Sequence, residues 1–173
     1  LHVIAKKKKF RALNPVMASK NTLSRAIMLT GLLAGTLDIT AATIQFYLVT
    51  GKGPEVILRY ISGALFGAEV ANNQPVMPIV GLVMHYCIAM TFTAFYYWVY
   101  PRMAYLGKKW WVNGIVYGLL VWIVMNVLLV PLTRIGHRPF HLNNVLIGAG
   151  ILVICIGIPI AYISHRFYSR RMV

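Results

Sequence analysis

Ala26-Ile-Met-Leu-Thr-Gly31-Leu-Leu-Ala-Gly35-Thr-Leu-Asp38-Ile-Thr-Ala-Ala42-Thr-Ile-Gln45-Phe-Tyr-Leu-Val-Thr50 is the stretch that decides the fold. At ~1.5 Å per residue it is long enough to cross a hydrocarbon core of ~30 Å. Asp38 stands near its centre, in a chain with only 3 acidic residues. A carboxylate at that depth is disfavoured unless it has a partner, a proton or a task.

The rest of the chain agrees with a membrane reading. Its 173 residues are 59% hydrophobic and 12% charged, and three more runs reach the length of a span. Spans are expected at about Ile27 to Val49, Pro78 to Tyr100, Val112 to Thr133 and Leu142 to about His165. The expected fold class is all-α: a polytopic membrane protein whose four transmembrane helices form one domain, residues 26–166. A basic, disordered arm (residues 1–25) precedes it and a basic tail (residues 167–173) follows. Met17 stands just ahead of the first span, so residues 1–16 read as a disordered extension or an upstream start. The arm lacks the apolar core and cleavage-type small residues of a secretory signal. Cys87 and Cys155 both fall inside apolar segments and read as small packing residues, with neither a disulfide frame nor a metal spacing.

Between the first two spans, Pro54-Glu-Val-Ile-Leu-Arg-Tyr-Ile-Ser-Gly-Ala-Leu-Phe-Gly67 is too short to cross and opens with proline at a helix start. It predicts a half-helix, re-entrant or interfacial. Glu55 and Arg59, four residues apart with the acid first, would pair on its polar side, while Ile57, Ile61, Ala64 and Leu65 turn inward.

Orientation follows from the basic residues. Lys6, Lys7, Lys8, Lys9, Arg11, Lys20 and Arg25 precede the first span, Arg102, Lys108 and Lys109 follow the second, and Arg166, Arg170 and Arg171 close the chain. Only Lys52, Arg59, Arg134 and Arg138 fall on the other side, so the positive-inside rule places both termini in the cytoplasm. The net charge of +14 is then explained by topology and by attraction of the arm to anionic lipid, without nucleic acid. Trp98, Tyr100, Tyr105, Trp110 and Trp111 gather at the cytoplasmic ends of the second and third spans, as in an aromatic belt.

The polar residues within the spans form the candidate site. Asp38 lies near mid-membrane, Gln45 about 10 Å nearer the outer side, and His85 and Asn126 at a similar depth in the second and third spans. Gly31, Gly35, Asp38, Ala42 and Gln45 share one stripe, Gly81, His85 and Ala89 a second, and Gly114, Gly118, Trp122 and Asn126 a third. Glycines at four-residue steps let helices approach closely, and a polar residue on such a stripe is expected to point at another helix. Two readings remain open. Asp38, Gln45, His85 and Asn126 are hydrogen-bonding glue, or Asp38 and His85 are a protonatable pair in a wet cleft with Gln45 and Asn126 orienting a solute. Pro131 and Pro159 read as end kinks, or as sources of freed carbonyls for an ion.

Other chemistries are argued down. Apart from His85, the histidines (His2, His137, His141 and His165) lie at or beyond membrane edges, which disfavours bis-histidine haem. His137 and His141 flank Pro139 without an evident third ligand, so no metal site is assigned. No phosphate loop, nucleophile elbow, zinc-protease motif or paired carboxylate occurs, so neither an enzyme nor a cofactor is expected. Gly31, Gly35, Pro54 and Gly63 are echoed by Gly114, Gly118, Pro139 and Gly148, a faint repeat that glycine frequency also explains.

Gly31-Leu-Leu-Ala-Gly-Thr-Leu-Asp38, the Pro54 to Gly67 segment, Gly81-Leu-Val-Met-His85 followed by Tyr96-Tyr97, Tyr117-Gly118 leading to Val124-Met-Asn126 and Val130-Pro131-Leu132, and Gly157-Ile-Pro159-Ile carry a resemblance. From about residue 26 the chain resembles the YagU-like group, a bacterial family of small inner-membrane proteins without an assigned activity. The resemblance implies a bacterial inner-membrane location and four spans. Two functions follow: an accessory or interaction subunit bound to a membrane-protein partner or to its own copies, and, as the alternative, a small channel or proton-coupled transporter built on Asp38 and His85.

Overall fold

The computed structural model describes residues 20–105, 109–134 and 142–169. Most of the basic arm, Lys108, His137, Arg138, His141 and the last four residues lie outside them, as does the side chain of Tyr105. All regular structure among the described residues is helical, and four helices are long and apolar enough to cross a membrane: Thr22–Thr50, Met77–Arg102, Trp110–Leu132 and Leu142–Ser169. The chain is a multi-pass membrane protein. Helices suit that solvent because each backbone N–H and C=O is satisfied within its own segment.

In chain order, α1 (Lys20–Thr50), α2 (Pro54–Phe66), α3 (Ala68–Asn73) and α4 (Met77–Tyr105) are followed by α5 (Trp110–Leu132) and α6 (Leu142–Ser169). Helix α1 packs between α4 and α6, and α5 leans chiefly on α6. Contact between α4 and α5 is made by large side chains. Tyr96 meets Tyr117 edge-on at 4.5 Å between ring centroids, and both belong to the core with Ala34, Tyr100, Val121, Ile156, Ile160 and Ala161.

At the α5–α6 crossing the backbones nearly touch. A Cβ on Gly157 would run into the Gly114 carbonyl and lie 2.9 Å from the Gly118 nitrogen, so only glycine fits there.

The half-helix is α2, with Pro54 in its first turn and Gly53 at its N-cap. It lies along the first turns of α4, where a Cβ on Gly81 would strike the Leu58 carbonyl. Gly67, with φ 90° and ψ 154°, breaks the path between α2 and α3 in a region open only to glycine. The expected Glu55–Arg59 pair does not form. Arg59 Nη1 instead donates to the carbonyls of Ala71 at 2.6 Å, Asn72 at 3.1 Å and Gln74 at 2.9 Å. These are the unsatisfied acceptors at the negative end of α3, which outbid a solvated carboxylate one turn away. Leu65 also departs from expectation and faces outward.

Pro159 lies inside α6 and Pro131 one residue before the end of α5. Val124–Leu129 and Val153–Gly157 are π-helical, and each wide turn closes just before a proline. Val130 N donates to the Met125 carbonyl and Ile158 N to the Val153 carbonyl, and then Pro131 and Pro159 follow without a donor. Widening the turn absorbs the ring that would clash in an α-helix.

Gly157→Ala should destabilise the protein by about 1–3 kcal/mol in detergent unfolding. Gly150→Ala, where an added Cβ meets nothing within 4 Å, should be neutral or stabilising by up to about 1 kcal/mol. Arg59→Ala should raise amide exchange across residues 68–73 by roughly tenfold, since hydrogen bonds from a charged donor contribute about 1.5–3 kcal/mol. Arg59→Lys should restore only part of the protection, because an ammonium lacks the planar fork.

Candidate functional site

His85 is buried where α1 and α4 cross, and its Nε2 stands 2.9 Å from the Gly35 carbonyl. A carbonyl only accepts, so Nε2 carries the proton in this bond. The ring reaches that carbonyl because Gly35 has no side chain: a Cβ there would sit 3.1 Å from both Ala89 and the Tyr86 ring. One turn earlier on α1, Gly31 faces Met90 and Thr93 in the same crossing.

Asp38 lies one turn beyond Gly35, partly exposed and within electrostatic reach of both His85 and Cys155. No hydrogen bond reaches its carboxyl among the described residues. Cys155, which contributes to this centre from the wide turn of α6, was read from sequence as packing alone. Its spacing carries no signal, since contact with Asp38 depends on how α6 crosses α1.

Gln45 and Asn126 stand apart from this group. Gln45 is partly buried on α1 and makes no hydrogen bond among the described residues. Asn126 is exposed, and its Nδ2 donates to the Trp122 carbonyl of its own helix at 3.0 Å. The expectation that it joins the others therefore needs correction. Steps of four residues drift by about 40° each on a helix of 3.6 residues per turn, so Gly114 and Gly118 face α6 while Asn126 has rotated away. The alternating steps of the Gly31 stripe drift much less, which keeps Asp38 near Gly35 and His85.

A second polar group lies nearer the Tyr100 end of the bundle. Thr30 Oγ1 and Tyr97 Oη share a hydrogen bond at 3.0 Å, Tyr100 Oη and His165 Nδ1 another at 2.8 Å. Tyr117 Oη donates to the Phe92 carbonyl at 2.6 Å and Tyr168 Oη to that of Tyr97 at 2.9 Å. Ser164 Oγ donates to the Ile160 carbonyl and lies beside the Tyr96 hydroxyl. These bonds tie α1 to α4, α4 to α5 and α4 to α6. Tyr100 therefore turns inward instead of joining an aromatic belt, whereas Trp98 stays exposed with the Arg102 guanidinium 4.6 Å from its ring centroid. The sequence held a sign of this network, since Tyr96, Tyr100 and Thr93 recur at helical spacing along one face.

These features define a helical membrane protein in which Thr30, His85, Tyr97, Tyr100 and Tyr117 bond across helix contacts, while the buried Tyr96 hydroxyl and Asn113 Oδ1 have no hydrogen-bond partner among the described residues. No family model, curated protein or solved structure matches the chain.

His85→Phe, which keeps a ring and loses the donor, should cost about 0.5–2 kcal/mol in detergent unfolding. A double-mutant cycle of Thr30→Val and Tyr97→Phe should give a coupling of about 0.5–1.5 kcal/mol.

Proposed function

We propose that this protein is an interaction or accessory subunit that works through contacts between membrane-embedded helices. One observation carries the reading: Asn126 and part of Asp38 are left at the apolar surface, while His85, Thr30, Tyr97, Tyr100 and Tyr117 are engaged across helix contacts within the chain. Groups stranded there are best satisfied by another polypeptide, because lipid tails offer no hydrogen bonds. Close glycine approaches at Gly31, Gly81, Gly114 and Gly118 extend the same logic, with Gly-xxx-Gly packing as its structural means.

The reading places the chain in a bacterial inner membrane with both termini cytoplasmic. Its support is the Lys and Arg asymmetry and the resemblance of the Asp38, His85, Asn126 and Pro131 positions to the YagU-like group. The basic arm would then rest on anionic lipid.

A proton-coupled channel or transporter is the second reading, favoured by the unbonded Asp38 carboxyl beside His85. Extraction from native membranes in mild detergent separates the two. As an interaction subunit, the protein should run as an assembly that Asp38→Asn weakens without loss of folding, and the purified chain should leave liposome proton flux at the protein-free level. Flux from the isolated chain that Asp38→Asn abolishes, without loss of folding or change in assembly, would overturn the interaction reading.

A further inference from the structure

We infer that the exposed face of α5 around Asn126 is the contact surface for a second copy of this chain. The inference rests on the interaction reading above and names the partner. Helix α5 is the edge of the bundle, packing chiefly on α6. Val116, Leu119, Ile123 and Asn126 are all exposed and follow a 3-4-3 spacing, the seam of a helix pair.

Asn126 makes that seam specific. Six residues separate it from Leu132, so it sits about 9 Å along the helix from the end of the span. One N–H of its carboxamide is engaged by the Trp122 carbonyl, which leaves the second N–H and the Oδ1 facing hydrocarbon. Donors and acceptors left in lipid disfavour the bare face.

Self-complementarity selects the occupant. A carboxamide carries both a donor and an acceptor, so two copies of Asn126 related by a two-fold axis satisfy one another, with Leu119 and Ile123 packing on either side. A cationic or anionic partner would leave one of the two groups unmatched. A single asparagine in an apolar seam also fixes register, because sliding the helices separates the pair.

The test uses the full chain in liposomes over a range of protein-to-lipid ratios, with association read by energy transfer between labelled copies. Wild type should dimerise reversibly. Asn126→Leu should raise the dimer dissociation constant roughly tenfold while melting like wild type, and Asn126→Gln should stay close to wild type. In a background of Cys87→Ala and Cys155→Ala, Asn126→Cys should oxidise to a covalent dimer. Val83→Cys, exposed at matched depth on α4, should not. A monomer at every ratio, equal association by Asn126→Leu, or cross-linking no better than the Val83 control would overturn the proposal, with lipid then covering the face. A chain that is monomeric alone yet assembles with a different membrane protein overturns the dimer and leaves the interaction reading standing.

Discussion

Hydrocarbon supplies no hydrogen bonds, and the cross-helix polar contacts of this bundle answer to that constraint. The bond from His85 Nε2 to the Gly35 carbonyl is its clearest expression. In water an imidazole so placed would contribute little net, because the solvent would bond either group as well. Within a bilayer the alternative is an unmet donor, so the histidine holds α4 to α1 at one rotation and one height. Thr30 with Tyr97, and Tyr100 with His165, repeat the solution nearer the other end. The bundle is thus pinned at two levels by hydroxyl and imidazole groups, with apolar packing filling the space between.

Close backbone approach and polar pinning depend on each other. The His85 ring reaches the Gly35 carbonyl where α1 and α4 come close, and a Cβ on Gly35 would press on Ala89 and the Tyr86 ring in that crossing. The short α2–α3 unit shows the same economy at its own scale. A proline start, a glycine break and one guanidinium gathering three carbonyls suffice to fold a loop back onto the first turns of α4.

Features set by local chemistry were legible in the sequence. Four spans, the half-helix and its proline start follow from run length and turn residues, and the placement of Asp38 beside His85 follows from two stripes that hold their face. Features set by helix rotation were not. Asn126 shares a four-residue ladder with Gly114 and Gly118, but accumulated drift carries it to the outside. Cys155 comes within electrostatic reach of Asp38 only because of how two helices cross, and Arg59 leaves Glu55 for carbonyls twelve to fifteen residues away. These last two are not encoded in spacing along one element, whereas the drift of Asn126 follows from its spacing once 3.6 residues per turn is applied.

The wide turns ahead of Pro131 and Pro159 have a consequence for descent as well as for shape. Each holds one residue more than an α-turn, so each is in effect an insertion accommodated inside a continuous helix. Everything beyond it is turned by about 100° relative to an uninterrupted helix. Loss of a single residue within Val124–Leu129 would therefore leave α5 nearly the same length while re-aiming its far end at a different neighbour.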